Sequence, residues 1–189
     1  NPIVCSSPVD ITGYIVTEHD TEVPSFNVSV VCASGYEGDA SASPSSCAGA
    51  SMAPYTLSGC YGIVCSTPRN LRGYRGLVET NLDLSLGPFD VTGGCATNYE
   101  GVVTATACVA DGAPYTLSGC RPIVCTSPPV THGYDVTREY QLDLGLGPLD
   151  VTVSCSLSSV GSAVATPCNA SGPYSLTGCI PKLCVRPPL

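Results

Sequence analysis

The sequence predicts an all-β chain made of small, disulfide-rich modules in tandem. Three observations indicate this: 13 cysteines in 189 residues, a phrase that returns at a nearly constant interval, and short stretches that alternate apolar and polar residues. The apolar positions lack the 3.6-residue period of a helix, and the chain carries 20 glycines and 17 prolines. We therefore expect strands and turns and essentially no helix.

The cysteines predict a disulfide framework in an oxidising compartment, because this density is typical of small secreted modules. Zinc or iron–sulfur ligation is the alternative. Such sites use close Cys-x2-Cys pairs with histidine, whereas the tightest spacing here is Cys-x4-Cys and the chain has two histidines. We expect no metal and no cofactor.

The repeat is defined by Cys5, Cys65, Cys125 and Cys184, which follow one another at an almost constant interval. A Gly-Tyr pair follows the first three of them, and each unit closes on a Tyr-x-Leu-x-Gly-Cys phrase. The predicted modules are residues 1–60, 61–120 and 121–180, with 181–189 as the start of a fourth. The sequence begins and ends inside this array, so we expect a segment of a longer secreted precursor.

Each complete unit has four cysteines in the same rhythm. They are Cys5, Cys32, Cys47 and Cys60; then Cys65, Cys95, Cys108 and Cys120; then Cys125, Cys155, Cys168 and Cys179. Four cysteines allow three pairings, which spacing alone does not distinguish. Cys184 is unpaired in this window and is expected to bond to a residue beyond Leu189 or to another chain.

The clearest strand in each unit leads into the second cysteine. In the first unit, Phe26, Val28, Val30 and Cys32 alternate with polar or outward residues. Further strands are predicted over Val102 to Cys108 and Val160 to Cys168, whereas Thr17 to Pro24 is a polar stretch. In the closing phrase we expect a bulge at the glycine, because the last cysteine must face the same side as Tyr and Leu.

At this point the chain resembles the sushi, or complement control protein (CCP), module. The likeness consists of four cysteines in each unit, a proline after the first, the Gly-Tyr pair and the segment that follows Cys32. The resemblance implies an elongated head-to-tail array of β-modules. The family's tryptophan before the last cysteine is missing, and Tyr55, Tyr115 and Tyr174 are placed to fill its role. Another two-disulfide β-sandwich repeat is the alternative fold.

The resemblance also implies that the first cysteine bonds to the third and the second to the fourth. The implied bonds are Cys5–Cys47, Cys32–Cys60, Cys65–Cys108, Cys95–Cys120, Cys125–Cys168 and Cys155–Cys179.

Catalysis is not expected, because an active site needs a convergent nucleophile, base and orienting group. The two histidines, His19 and His132, lie in different units within polar stretches, and we interpret them as exposed. The recurring acids Asp83, Asp143, Asp90 and Asp150 offer too few oxygens per unit for calcium, and we interpret them as solvated.

Two sequons predict N-glycans, at Asn27 and Asn169. The strand period places Asn27 on the outer face. The Ser-Pro and Thr-Pro pairs at Ser7, Thr67 and Ser127 predict O-glycans more weakly.

Charge and hydropathy exclude two classes of partner. The net charge is −8, with 7 basic and 15 acidic residues, so no basic patch could neutralise a nucleic acid. No apolar run approaches the roughly 20 residues that span a membrane.

We predict a non-enzymatic extracellular protein, secreted or on a cell surface, with a structural or adhesive role. It would be a glycoprotein array whose partners are like chains or neighbouring modules, and it could build a filament, because repeated contacts without closure make fibres. The alternative is a receptor-like or complement-regulator-like array that binds proteins. Its candidate surface is the first unit, which has six acids and no base.

Overall fold

The computed structural model describes residues 3–49 and 52–183, and it confirms the all-β prediction. Over these residues there is no α-helix, and one short 3-10 turn covers Pro44–Ser46. The strands are β1 Ile3–Val4, β2 Tyr14–Asp20, β3 Glu22–Val23, β4 Asn27–Cys32, β5 Tyr36–Glu37, β6 Ser41–Ser43, β7 Thr56–Ser58, β8 Tyr61–Gly62, β9 Tyr74–Asn81, β10 Asp90–Cys95, β11 Tyr99–Thr106, β12 Thr116–Pro122, β13 Cys125–Thr126, β14 Tyr134–Gln141, β15 Asp150–Cys155, β16 Ser159–Thr166, β17 Gly172–Pro173 and β18 Ser175–Pro181.

Two strand pairs recur in each repeat. In the first pair, the strand that follows Gly-Tyr lies beside the strand that enters the second cysteine; these are β2 with β4, β9 with β10, and β14 with β15. In the second, the strand after that cysteine lies beside the closing strand; these are β6 with β7, β11 with β12, and β16 with β18. The second strand of the first pair ends at the second cysteine in each repeat, and the closing strands β12 and β18 contain the fourth cysteine of theirs.

The strand into the second cysteine alternates as its pattern predicts. Val28 and Val30 are half-buried, whereas Asn27 and Ser29 are exposed. Its partner β2 runs antiparallel, with Tyr14 opposite Cys32. The polar stretch from Thr17 to Pro24 contains the end of β2, which continues to Asp20, and the short strand β3. The outward residues of β2 are mostly polar while Val16 faces the core, so a half-buried strand has the composition of a loop.

The strands predicted over Val102 to Cys108 and Val160 to Cys168 are present with different limits. They begin earlier, at Tyr99 and Ser159, and they end at Thr106 and Thr166, before the cysteines. The early start includes Tyr99, which is half-buried and whose hydroxyl oxygen would lie 3.1 Å from a β-carbon added to Gly145 of the following repeat.

The closing strand has the predicted irregularity at its glycine. Gly161 lies opposite Cys179 and Val164 opposite Thr177, so two residues of β16 face Gly178 alone. The extra residue therefore belongs to β16 and not to the closing strand as expected. Gly178 has φ +93°, and a β-carbon there would collide with the Ser162 carbonyl oxygen, so no other residue fits without strain.

The prediction of disulfides is confirmed, and the cysteines are bonded first to third and second to fourth in every repeat. The bonds are Cys5–Cys47, Cys32–Cys60, Cys65–Cys108, Cys95–Cys120, Cys125–Cys168 and Cys155–Cys179. Cys184 lies outside the described residues. Six disulfides in a chain of this size suit an oxidising setting.

Each repeat has its own small core around its first disulfide. Cys5 and Cys47 pack with Tyr55, Cys65 and Cys108 with Tyr115, and Cys125 with Tyr174. Cores this small supply little stability by themselves, and two disulfides per repeat add roughly 2–4 kcal/mol each.

The chain divides into two compact units. The first contains the described residues up to 70, 78–92 and 104–117, and the second contains 71–77, 93–103 and the described residues from 118 onward. The predicted module limits at 60/61 and 120/121 stay predictions; the first lies inside unit one and the second inside unit two. No helix in the described part of the chain is long and apolar enough to cross a membrane.

Candidate functional site

A buried tyrosine, a glutamate and a hydroxyl residue form the same polar triad in each repeat. The three tyrosines are the ones that close each unit, and Tyr55, Tyr115 and Tyr174 are only 2%, 1% and 1% exposed. Each hydroxyl donates to a glutamate Oε1. The tyrosine–glutamate pairs are Tyr55–Glu18 at 2.7 Å, Tyr115–Glu79 at 2.8 Å and Tyr174–Glu139 at 2.7 Å.

The same glutamates accept a second hydrogen bond from the residue that precedes the opening proline. Ser7, Thr67 and Ser127 each donate their hydroxyl at 2.7 Å. The triad therefore ties the opening segment, the strand after Gly-Tyr and the closing strand of one repeat together. It also occupies the hydroxyls that the Ser-Pro and Thr-Pro pairs offered as O-glycan sites, and a glycan there would remove the donated proton.

The triad shifts the pKa values of its tyrosines and, in the first and third repeats, of its glutamate. Burial, followed by the hydrogen bond to the glutamate, raises the pKa of each of the three tyrosines to about 12. The hydrogen bonds from Ser7 and then Tyr55 lower the pKa of Glu18. Those from Tyr174 and then Ser127 lower the pKa of Glu139. A neutral tyrosine beside an ionised glutamate is thus the stable state around neutral pH.

An aromatic neighbour completes the packing in two repeats. The Phe26 ring meets Tyr55 edge-on at 5.5 Å between centroids, and Phe89 meets Tyr115 at 5.6 Å. In the third repeat Leu149 takes the phenylalanine's position and packs against the core that contains Tyr174. The tyrosines therefore occupy a buried position in the core of each repeat.

The joint between the first two repeats lies within unit one. The Ile63 N–H donates to the Gly35 carbonyl at 2.9 Å, and the Ile63 carbonyl accepts from the Leu84 N–H at 2.9 Å. The Ile63 side chain is buried, 8% exposed, against Leu82 and Leu84. The Glu37 carboxylate accepts the Asp111 N–H at 3.0 Å, and Asp111 Oδ1 accepts the Val64 N–H at 3.0 Å.

The joint between the second and third repeats lies within unit two and reproduces these contacts. The Ile123 N–H donates to Asn98 and its carbonyl accepts from Leu144, each at 2.9 Å. Glu100 Oε2 accepts the Ser171 N–H at 3.1 Å, and Ser171 Oγ accepts the Val124 N–H at 3.1 Å.

Arginine contacts are additional features of this second joint. The Arg121 guanidinium lies 3.2 Å from Glu100, and Arg72 donates to the Tyr99 hydroxyl at 3.1 Å and to the Gly145 carbonyl at 2.7 Å.

At the first joint the linker residue is small and the turn residue facing it is larger, whereas at the second joint the linker residue is the larger of the two. In the first, a β-carbon added to Gly62 would lie 2.7 Å from the Ser85 hydroxyl oxygen. In the second, the linker residue is Pro122, and the turn residue facing it is Gly145, where an added β-carbon would lie 2.8 Å from the proline Cβ. Each joint has room for one side chain at this position and not for two.

The interpretation of Asp83 and Asp143 as solvated was wrong, because both are half-buried and accept backbone hydrogen bonds in these turns. Asp83 Oδ1 accepts the Ser85 N–H, and Asp143 Oδ1 accepts the Gly145 N–H, each at 2.9 Å. These are Asx turns that shape the segment docked into the preceding repeat. Asp90 and Asp150 are exposed at strand starts. Within residues 3–49 and 52–183, no group of three or more His, Cys, Asp or Glu side chains is placed to hold a metal ion.

The remaining predicted positions are at the surface. His19 and His132 are exposed, as interpreted from the sequence. Asn27 is exposed on β4 and Asn169 is exposed after Cys168. Glycosylation of either asparagine stays a prediction, although the serine of the second sequon, Ser171, is also a joint residue.

The glutamates of the triads and of the joints were not predicted from the sequence. Glu18, Glu79 and Glu139 recur at nearly the interval of the cysteine repeat, and Glu37 and Glu100 each follow the second cysteine of their repeat at the same distance. Comparing the repeats position by position for charged residues would have found them.

Comparison with known proteins identifies no relative. No family model matches the chain, and no curated protein matches it either. The chain's architecture and its two recurring features therefore carry the functional argument.

Proposed function

We propose that this chain is a segment of a non-enzymatic extracellular repeat protein with a structural or adhesive role, built from divergent sushi-like modules. The observation that carries the proposal is the recurrence of the joint. Four backbone and side-chain hydrogen bonds link equivalent positions at both joints, although the sequence around them varies. A protein that only needs to tether separate binding modules gains nothing from rebuilding the same joint.

The energetics support a defined joint. Ile63 and Ile123 are buried there, 8% and 7% exposed, and burying such a side chain stabilises by roughly 1.5–3 kcal/mol. The glutamate contacts are charge-assisted hydrogen bonds to backbone N–H groups, which fix direction as well as distance. In arrays of this kind each joint has the same geometry, which suits a filament or a surface coat made of like chains.

The setting follows from the same chemistry. Six disulfides are typical of an oxidising compartment, and the exposed asparagines of the two sequons suit a secreted or cell-surface glycoprotein.

Electron microscopy of the native, unreduced protein tests the proposal. We expect fibres or a layered coat with an axial period equal to a whole number of repeats. A matched sample of the Glu37→Ala, Glu100→Ala variant, which removes both acceptors, should keep its disulfides and lose order along the axis. Separate particles with no regular association would overturn the structural role and direct the search to a protein ligand of the acidic first repeat.

A further inference from the structure

An open hollow of about 580 Å³ lies in the third repeat, where strands β14 and β15 meet the loop that connects them. It is lined by Tyr140, Gln141, Gly147, Pro148 and Asp150, all within unit two. None of these residues belongs to the triad or to the contacts of a joint described above. We call this site the hairpin hollow.

A β-bulge places Tyr140 at the hairpin hollow. Glu139 pairs with Val151 and Gln141 with Asp150, so Tyr140 is an extra residue with no partner on β15. Bulges change the direction of a side chain and are frequent next to functional sites. Here Glu139 belongs to the buried triad, whereas the adjacent Tyr140 is 71% exposed.

The Tyr140 ring is held in place by a neighbouring cation. The Arg138 guanidinium lies over the ring, 4.8 Å from its centroid. Such a contact is attractive at a surface site and leaves the rest of the ring open to solvent. A tyrosine in a defined orientation offers a large contact area at a low cost in conformational entropy, which is why this residue type is common in binding sites.

The polar groups of the hairpin hollow are not used by the fold. In the second repeat the equivalent amide is occupied, because Asn81 Nδ2 donates to the Pro88 carbonyl at 2.9 Å and Asn81 Oδ1 accepts the Asp83 N–H at 3.0 Å. Gln141 is one methylene longer. Neither its amide nor the Asp150 carboxylate has a hydrogen-bond partner within residues 3–49 and 52–183.

The second repeat also lacks the aromatic surface. Counted from the glutamate of the triad, Thr80 stands where Tyr140 stands, and Val78 stands where Arg138 stands. The glycine and the proline of the loop are the same in both repeats. An exposed aromatic ring beside a free amide and a free carboxylate is therefore a feature that the third repeat has and the second does not.

We propose that the hairpin hollow binds a neutral saccharide. A sugar ring has an apolar face of C–H groups, which stacks on Tyr140, and hydroxyls at its edge that both donate and accept hydrogen bonds. The Gln141 amide supplies donors and an acceptor, and the Asp150 carboxylate supplies acceptors, so together they match neighbouring hydroxyls. An apolar surface with a few polar groups is the usual composition of a small-molecule site.

Other classes of ligand fit the hairpin hollow less well. Proline-rich peptides bind in grooves lined by aromatic rings, whereas Tyr140 is the single aromatic residue among those that line this hollow. An anionic ligand would meet the Asp150 carboxylate, and like charges brought together in this way reduce affinity. A neutral ligand with several hydroxyls uses the carboxylate instead of opposing it.

The saccharide could come from two sources. One is an N-glycan of a like chain, since the chain has sequons at Asn27 and Asn169, and the other is a glycan of an unrelated surface. The chemistry that recognises them is the same. The proposal goes beyond the structural role proposed above and does not depend on it.

Saccharide binding by the full chain tests the proposal. The protein, enzymatically deglycosylated so that its own glycans do not compete, would be applied to immobilised mannose-, glucose- and galactose-terminated oligosaccharides and to N-glycans released from the protein itself. Truncating an aromatic anchor is costly, so Tyr140→Ala should weaken binding roughly ten-fold or more. Gln141→Asn, which introduces the residue of the second repeat, should weaken it several-fold. Thr80→Ala is the matched control and should leave binding unchanged.

The outcomes separate the two sources and the two proposals. Binding to the released N-glycans supports the proposal with a like chain as the source, and binding to the other probes alone supports it with an unrelated surface. Binding to no probe at millimolar concentration would overturn it, as would binding that Tyr140→Ala and Gln141→Asn leave unchanged. Ordered fibres without saccharide binding would remove this inference alone, whereas saccharide binding by separate particles would support it and overturn the structural role.

Discussion

Gly145 lies against Pro122 so closely that a β-carbon on the glycine would be 2.8 Å from the proline Cβ. At the other joint the larger residue is on the turn, where Ser85 faces Gly62. The two joints thus keep one backbone geometry with opposite choices of side chain. Because packed interfaces leave no space for an extra methylene group, the pair and not the single residue determines whether a joint closes.

The first prediction follows from this pairing. Gly145→Ser should destabilise the chain by about 1–3 kcal/mol, because the added side chain meets Pro122. The double variant Pro122→Gly, Gly145→Ser recreates the Gly62–Ser85 arrangement and should recover part of the loss, with a coupling energy of about 0.5–3 kcal/mol. Urea unfolding of the two single variants and the double variant, with disulfides intact, measures it. Additive losses would show that the two residues do not act as a pair.

The second prediction concerns the triad in the third repeat. Tyr174→Phe keeps the buried ring and removes the hydroxyl that donates to Glu139, and we expect a loss of about 1 kcal/mol in the free energy of unfolding. The matched control is Tyr140→Phe, since Tyr140 is 71% exposed and its ring lies under the Arg138 guanidinium at 4.8 Å. Removing that hydroxyl should leave stability unchanged, and equal losses in the two variants would contradict the role of the triad.

The third prediction is a loss of stability at alkaline pH. The triad tyrosines have a folded-state pKa of about 12, raised mainly by burial, against 10.0 ordinarily. Their contribution is fully present below pH 10 and is lost as pH rises towards about 12. An ultraviolet titration should show the three triad tyrosines ionising near pH 12, and one fewer in Tyr174→Phe. A titration in which all the tyrosines ionise together would count against the triad.

At acidic pH the triad glutamates have the opposite effect: stability decreases as pH falls. The folded-state pKa values of Glu18 and Glu139 lie below the ordinary glutamate value, because hydroxyl donors favour the carboxylate. Their contribution is present above the ordinary pKa and is lost as pH falls through the lowered one. Glu139→Gln should therefore flatten the acid limb of the stability curve relative to the unmodified chain. An unchanged acid limb in this variant would contradict the contribution of Glu139.

The fourth prediction concerns Gly178, which has φ +93° and lies against the Ser162 carbonyl. Gly178→Ala should cost at least about 1–2 kcal/mol for the backbone conformation alone, with the collision in addition. The Cys155–Cys179 bond should form in lower yield. Gly94→Ala is the control: its added β-carbon meets nothing within 4 Å, so no comparable loss is expected. A tolerated alanine at Gly178 would mean that the strands can separate there.

Much of the architecture could be predicted from the sequence because it depends on local period and on spacing. The alternation of Val28 and Val30 with Asn27 and Ser29 identifies a half-buried strand, and cysteines that recur at one interval identify the repeat. Strand β2 was not predicted, because its outward polar residues hide the alternation. The bulge at Gly178 was predicted from the need to turn Cys179 inward, but the strand that carries the extra residue depends on pairing.

The sequence by itself determined an all-β chain, the number of repeats and the presence of a disulfide framework. Only the tertiary structure decided which glutamate accepts the hydrogen bond from Tyr174 and which side chain lies against Gly145. Those relationships join residues that are far apart along the chain, and each depends on distances of about 3 Å that folding alone establishes. The periodicity of the sequence predicts the face of the strand on which a residue lies, whereas tertiary packing determines which partner the residue contacts there.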